Sequence, residues 1–227
     1  DEEMPANIAA AEKAGVEIAD IRAYMEDRGI LRMVDDINSA GGRVADIINN
    51  MLNFARKSES TVSTIDLHQL IEKTILLAAA DYNLKSNYDF KSIEIVREYA
   101  EDLPSVPCES AKIQQVLLNI FRNGAEAMQM ETLETGRNEQ HVFNIRTLLD
   151  KSGSSVIIEI ADNGPGMDEE IRKRIFEPFF TTKPVGVGTG LGLSVSYFII
   201  KENHGGEMRV ESEPGSGAKF IIQLPLR

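Results

Sequence analysis

The stretch Val156-Ile157-Ile158-Glu159-Ile160-Ala161-Asp162-Asn163-Gly164-Pro165-Gly166-Met167 joins an apolar run to a carboxylate and two glycines. Residues Ser155 to Ala161 predict a strand, because β-branched residues favour the pleated backbone and turn residues bound the run. Asp162 then stands at the strand's end. A carboxylate there can accept from a purine amino group while the bare backbone of Gly164 and Gly166 lies close to the base. Asp-x-Gly-x-Gly is also a common turn, so its neighbours have to decide.

Working outward, His141 to Leu149 predicts a second strand, joined to the first through the turn Lys151-Ser152-Gly153-Ser154. Upstream, Asp66 to Ala80 reads as a helix, Ser92 to Tyr99 as a strand, and Ser110 to Met130 as a helix with Ser110 as N-cap. Downstream, Glu169 to Phe176 is a short helix and Gly190 to Asn203 a longer apolar one. Glu207 to Glu211 and Ala218 to Leu224 make a closing hairpin through Glu213-Pro214-Gly215-Ser216-Gly217. This order predicts an α+β domain, a mixed sheet covered on one face by helices.

Three further segments carry chemistry. On the Ser110 helix, Gln115, Asn119 and Asn123 recur every four residues and share a face, opposite Ile113, Val116, Leu117, Ile120 and Ala127. Asparagine is a poor helix-interior residue. Two of them a turn apart are either a solvated face or ligands: amide oxygens are neutral hard donors, suited to sharing Mg²⁺ with a phosphate chain. The segment Phe176-Glu177-Pro178-Phe179-Phe180-Thr181-Thr182-Lys183 follows, where the hydroxyls and one ammonium can meet phosphates, or the phenylalanines merely plug a core. Last comes Gly186-Val187-Gly188-Thr189-Gly190-Leu191-Gly192-Leu193, which feeds an apolar helix. Glycines entering a helix N-terminus make an anion site and a mobile lid. No Gly-Lys-Ser/Thr follows, which excludes a P-loop, and Leu193 stands where a dinucleotide fingerprint needs glycine or alanine.

Composition narrows the class. The 227 residues carry 24 basic and 36 acidic side chains, a net charge of −12, with 42% hydrophobic and 26% charged residues. A chain of this make-up can bury a core. The acidic balance argues against a nucleic-acid partner, which would need a basic face. No apolar run approaches the ~18 residues that cross a bilayer, and no signal-peptide pattern opens the chain. The lone Cys108 excludes an internal disulfide and a cysteine-built zinc site, and suits a reducing cytoplasm.

Residues 1–60 are different in kind, with no strand signal from Ala6 to about Ser60. Gly15 and Gly29 each follow helix-favouring runs, as C-capping glycines do, and divide the region into two short helices and a long one. In the long one, Ile30, Val34, Ile37, Gly41, Val44, Ile48, Met51 and Ala55 form a heptad seam, flanked by Met33, Ala40, Ile47 and Phe54. That stripe is wider than a two-stranded coiled coil needs, and a four-helix bundle suits it better. It can be a core helix of its own domain or a dimerisation helix; the second is favoured, since nothing else in the chain could cover a helix of about 40 Å. Gly41-Gly42 weakens the helix there, so a bend or a close helix approach is expected. Lys57-Ser58-Glu59-Ser60 reads as a polar hinge.

Taken together, Asn119 to Asn123, Asp162-x-Gly164-x-Gly166, Phe176-Glu177-Pro178-Phe179 and Gly188-x-Gly190-x-Gly192 resemble the N, G1, F and G2 boxes of the sensor histidine kinases, within the GHKL ATPase/kinase superfamily. The resemblance spans residues from about 62 to 225. It implies a Bergerat-type two-layer α/β sandwich over 61–227, preceded by an all-α dimerisation arm over 1–60. The arm would be part of the dimerisation and histidine-phosphotransfer hairpin. The resemblance also implies ATP and Mg²⁺ as cofactors. Asn123 would be the Mg²⁺ ligand, Asn119 its neighbour near the phosphates, and Asp162 the reader of the adenine amino group. Gly164 and Gly166, with Met167 after them, would line the base pocket, and Thr182, Lys183, Gly188, Thr189, Gly190, Leu191 and Gly192 would form the lid and phosphate cradle. Asn119, Asn123 and Lys183 would carry the catalytic role.

Within the superfamily, gyrase B-type and MutL-type ATPases have a glutamate where Asn119 stands. An amide cannot take a proton from water, so transfer to an acceptor is expected rather than hydrolysis. The implied reaction passes the γ-phosphoryl group to a histidine and then to an aspartate of a response regulator. The implied partners are that receiver domain, a second copy through the arm, and an upstream sensory domain. The location is cytoplasmic, with the possibility of a membrane anchor elsewhere in a longer protein. Two departures stand out. Glu126 replaces a basic residue common in the family, so Lys183 or Arg122 is expected to supply that charge. None of the three histidines, His68, His141 and His204, lies on the arm, so the phosphoacceptor is expected upstream of Asp1 and the three are expected to be structural or exposed. Another GHKL kinase or ATPase, or a nucleotide-binding dimerisation module, remains an alternative.

Overall fold

Along Val142–Leu149 the buried side chains are Phe143, Ile145 and Thr147, so alternate residues of one strand enter the interior and the others face solvent. The next strand repeats this with Val156, Ile158 and Ile160, and the last with Phe220, Ile222 and Leu224, although Ile221 between them is buried too. One apolar face per strand demands one covering layer, and helices supply it. The computed structural model describes residues 5–38, 40–42, 62–80, 89–136, 139–184 and 188–227. It divides into two compact units, one built on Asp1–Asn53 and the other on Phe54–Lys183 and Gly188–Arg227.

In the first unit, α1 spans Pro5–Ala14 and α2 Ile18–Asp27, while α3 is described over 30–38 and 40–42. Gly15 and Gly29 both take left-handed backbone, at φ 67° and 66°, where the two short helices end. Val34 and Ile37 of the seam are exposed, at 46% and 69%. Gly41 and Gly42 are helical. Val44, Ile48, Met51 and Ala55, their neighbours Ile47 and Phe54, and the hinge 57–60 lie outside the described residues.

In the second unit, β1 (Ser63–Ile65) leads to α4 (Leu67–Ala80), a 3₁₀ turn (Phe90–Ser92), β2 (Glu94–Glu98) and β3 (Val106–Cys108). Then come α5 (Ser110–Thr135), β4 (Val142–Leu149), β5 (Ser155–Asp162) and α6 (Glu169–Arg174). The chain closes with α7 (Gly192–Phe198), a π segment (Ile199–Asn203), β6 (Glu207–Ser212) and β7 (Ala218–Pro225). The main sheet runs β2-β4-β5-β7-β6, with β2 parallel to β4 and every other pair antiparallel. It is the mixed, helix-covered sheet that the sequence predicts. The register sets Ile145 opposite Ile160, and Ile160 opposite Phe220. Beneath α5, the rings of Phe90, Phe121 and Phe143 pack with centroids 5.5–6.0 Å apart.

Several boundaries differ from expectation. β1 and β3 form a separate two-stranded ribbon that the sequence reading misses, since three residues around Pro107 are too short to show a period. Ser110 is not the N-cap of α5. Glu109 is, without a side-chain cap, and its N–H donates instead to His204 Nε2 at 3.0 Å. The helix also runs past Met130 to Thr135, ending at left-handed Gly136. Ala127 is only half-buried, because the helix face turned to the sheet passes through Phe121, Gly124, Ala125 and Met128. α6 stops at Arg174 rather than Phe176, and the apolar helix begins at Gly192 and widens into a π turn at Ile199.

Candidate nucleotide site

Asp162 sits at the last position of β5. Its Oδ1 accepts from the backbone N–H of Gly164 at 3.0 Å and of Ala218 at 3.2 Å, which locks the carboxylate in one orientation. Burial pushes its carboxyl above the usual aspartate range, the two N–H donors work against that, and the charge of Glu131 adds to it. Its second oxygen faces α5 at Gly124, where a Cβ would lie 3.2 Å from Oδ2 and only 2.7 Å from two ring carbons of Phe143. Gly124 therefore lets α5 pack closely against Phe143 and the carboxylate, a role the sequence reading did not give it. A glycine in a helix interior costs about 1 kcal/mol relative to alanine, and that was the available signal.

The loop after Asp162 is held from a distance. A Cβ at Gly164 would meet Asp162 Oδ1 at 3.1 Å and Met128 Cγ at 3.3 Å. Gly166, at φ 70°, lies so near the Glu213 carbonyl that a side chain would collide with it. Ser212 Oγ accepts from Met167 N–H at 2.9 Å and donates to Gly217 O at 2.7 Å, and Gly215 N–H donates to Pro165 O at 2.7 Å. The β6–β7 turn thus clamps the Asp162–Met167 loop. Ser212 and Gly217 carry no local sign of this, since the partner lies some 45 residues away.

The two asparagines on α5 have different partners. Asn119 Nδ2 donates to Gly192 O and to Ser196 Oγ, both at 3.1 Å, fastening the first turn of α7 to α5. Asn123 Oδ1 accepts from Lys183 Nζ at 3.2 Å, and the same ammonium forms an ion pair with Glu126 Oε2. Lys183, one of the two cations expected to supply the charge missing at position 126, is thus paired with Glu126 itself.

Two loops are zipped together beside this pair. Phe179 N–H donates to Gly190 O at 2.9 Å, with Phe179 at φ 67° and Gly190 at φ 65°. A side chain on Gly190 would strike the Phe179 carbonyl. Thr181 Oγ1 accepts from Lys183 N–H at 3.2 Å and lies 2.6 Å from where a Gly188 Cβ would stand. Thr182 is exposed. Thr189 Oγ1 accepts from Leu191 N–H at 3.4 Å, and Leu191 is buried at the start of α7. Phe176 packs on Tyr197 at 5.1 Å, and the Arg174 guanidinium lies 4.3 Å over the Phe180 ring. These phenylalanines brace the loop, and the polar tips of Asn123 and Lys183 face one another across it.

All three histidines are held by structural hydrogen bonds. His68 bonds Thr147 Oγ1 at 2.8 Å and stacks on Tyr99, and His141 bonds Thr132 Oγ1 at 2.8 Å. His204 accepts from Glu109 N–H and donates from Nδ1 to Ile199 O at 2.8 Å, so its neutral tautomer joins the start of α5 to the π segment. Cys108 is buried, and burial together with the nearby Glu109 charge pushes its thiol up to about 11, as expected of an inert thiol.

Chemically, the site offers a fixed carboxylate followed by a glycine-containing loop, an amide oxygen of α5 in contact with the Lys183 ammonium, and the start of α7. Among the described residues no group of three or more His, Cys, Asp or Glu side chains could hold a metal alone. A divalent cation here would complete its shell with ligand oxygens. The hard oxygens at Asn123 and Glu126, already facing a cationic nitrogen, fit Mg²⁺ in that setting.

The chain is similar to known proteins in sequence and in fold. The family described as histidine kinase-, DNA gyrase B-, and HSP90-like ATPase matches residues 108–227. Sporulation kinase E of Bacillus subtilis (strain 168) is 37% identical over 191 residues, 84% of this chain and 23% of its own length. The signal transduction histidine-protein kinase AtoS of Escherichia coli (strain K12) is 34% identical over 197 residues, 87% of this chain and 28% of its own. The chain thus spans about a quarter of the length of these curated relatives. Among solved structures, the catalytic domain of histidine kinase ThkA superposes with a TM-score of 0.57 at 30% identity, covering 72% of this chain and 97% of that one. ThkA in complex with the response regulator protein TrrA shares the fold at 22% identity, with a TM-score of 0.65 over 99% of this chain and 61% of that one.

Proposed function

The chain belongs to the family of histidine kinase-, DNA gyrase B- and HSP90-like ATPases, on its histidine kinase branch, and from that premise we propose that it binds Mg²⁺·ATP and passes the γ-phosphoryl group to a histidine on an upstream helix. The observation that carries the transfer reading is Asn119. Its amide donates to Gly192 O and Ser196 Oγ, so the position from which a carboxylate would activate water holds a group that anchors α7 and cannot accept a proton.

In this reading Asp162 Oδ2 accepts from the adenine amino group, and the Gly164–Met167 loop, held by the β6–β7 turn, lies against the ring. Asn123 Oδ1 would be a metal ligand, and Lys183 would meet the phosphate oxygens. Bound Mg²⁺ would supply charge neutralisation to the phosphate chain. The Gly188–Gly192 segment and α7 present backbone N–H groups to the phosphates and exclude water. The P–O bond between the γ-phosphorus and the bridging oxygen breaks and a P–N bond to the imidazole forms, leaving ADP. With no acid–base residue needed on this domain, positioning and electrostatics do most of the catalysis.

The reading extends to partners. The exposed Val34 and Ile37 on α3 support a dimer through the arm, and a receiver-domain aspartate is the second acceptor. Sensory input comes from another part of a longer protein. No helix among the described residues is long and apolar enough to cross a membrane. The cytoplasm, where ATP is available and Cys108 stays reduced, is the proposed location.

The test is to incubate γ-labelled ATP with this chain, and with a version extended upstream through the next helix. Acid-labile, base-stable phosphate on the extended protein, and none on the shorter, is the expected result. Steady release of inorganic phosphate with no labelled protein would overturn it in favour of an ATPase.

A further inference from the structure

Glu126 is the residue of the site that the nucleotide reading leaves without a task. It lies three positions after Asn123, so both side chains leave α5 on neighbouring turns of one face. Between them sits the Lys183 ammonium, 3.2 Å from Asn123 Oδ1 and ion-paired with Glu126 Oε2, all of it largely shielded, at 23% and 28% side-chain exposure for the lysine and glutamate. A carboxylate here, facing the place of a polyphosphate, would repel it unless a cation stood between them.

We propose that Glu126 is a second protein ligand of the divalent cation, and that Lys183 is the cation standing in its place when no nucleotide is bound. The inference rests on the nucleotide reading above. An amide oxygen and a carboxylate oxygen closing on one ammonium form the protein half of a hard-cation shell. Mg²⁺ is ordinarily held by one or two carboxylates plus substrate phosphates and water, and Asn123 alone would leave it without any carboxylate. Among the described residues no three acidic, histidine or cysteine side chains gather here, so metal binds tightly only together with the nucleotide.

Arrival of the metal–nucleotide complex displaces the ammonium from both oxygens, and the freed lysine turns to the phosphates. Position 126 thus exchanges a phosphate-binding cation for a metal-binding anion, and Lys183 restores the missing positive charge. Without metal the exchange fails: the single positive charge of the ammonium is shared between Glu126 and the phosphates, and the nucleotide binds weakly.

The test is calorimetric titration of a non-hydrolysable ATP analogue in excess Mg²⁺ and in excess chelator, on the wild-type chain, E126Q and K183M. The quantity read is the ratio of the chelator Kd to the Mg²⁺ Kd. In E126Q the ratio falls about tenfold or more, because a metal ligand is lost and metal-free binding improves as lysine and phosphates meet unopposed. In K183M the ratio rises, because the bare carboxylate repels metal-free nucleotide while metal still neutralises it. If E126Q shifts both Kd values by the same factor, leaving the ratio within twofold of wild type, Glu126 merely tethers Lys183 and the proposal is overturned. Should E126Q not fold, as judged by its melting curve, E126D keeps the charge but withdraws the oxygens, and the same fall in ratio is expected. A wild-type chain that binds no analogue in Mg²⁺ overturns the nucleotide reading itself, which separates the two failures.

Discussion

Asp162→Asn separates recognition from stability at one atom. Asp162 Oδ1 is committed to the N–H groups of Gly164 and Ala218, which leaves Oδ2, on the side of Gly124, for a ligand. Asparagine has the same shape and keeps its carbonyl oxygen on the two backbone donors. Its NH₂ then occupies the place of Oδ2 and meets the adenine amino group donor to donor. Losing a hydrogen bond to a charged acceptor costs about 1.5–3 kcal/mol, which is roughly 10- to 140-fold in Kd at about 1.4 kcal/mol per decade.

Stability moves the other way. Burial raises the Asp162 pKa, so between the ordinary value and the raised one the folded chain binds more protons than the unfolded chain. Its contribution to stability therefore falls as pH rises through that window, and at neutral pH the buried charge is a cost that the neutral amide escapes. The variant's melting temperature equals or exceeds that of wild type. Wild-type affinity for ATP also declines on acidification at a higher pH than an ordinary carboxylate would give. The assay is calorimetric titration with an ATP analogue and with its counterpart lacking the purine 6-amino group, alongside thermal melts. The penalty of the substitution is expected to vanish for the second ligand. An equal penalty for both ligands, or an affinity within twofold of wild type, would refute the assignment.

Two other outcomes are expected. Gly124→Ala places a methyl group 2.7 Å from the buried Phe143 ring, which Phe90 and Phe121 hold in place, so overpacking of about 1–3 kcal/mol outweighs the helix-propensity gain. Urea unfolding with unchanged stability, or unchanged nucleotide affinity, would contradict this. Cys108, buried and with its thiol pushed up to about 11, is expected to resist a disulfide reagent at pH 8 in the native chain and to react fully in denaturant; rapid native labelling would contradict its placement.

Much of the fold was legible because its signals are local. Alternating residues in Val142–Leu149, the Asp150–Ser155 turn and the helical period of α5 each depend on neighbours within a few positions. Where long-range contacts take over, the reading loses its grip. Ser110 looks like a cap, but His204, 95 residues later, receives the N–H that starts the helix at Glu109. The ribbon of β1 and β3 escapes notice because three residues on each side hold register only against one another.

The same division runs through the candidate site. The sequence alone determined the chemical inventory: a carboxylate at a strand end, two amides on one helix face, an ammonium after a phenylalanine-rich turn, and glycines entering a helix. Residue type and spacing are written in the chain, and local backbone preferences convert them into elements. Tertiary structure alone decided the pairings. Lys183 meets Glu126 from 57 positions away, Gly124 yields its space to Phe143 and Asp162, and Ser212 clamps the loop at Met167. Each of these depends on how the sheet and its helices pack, and packing is a property of the whole chain that no short window of sequence contains.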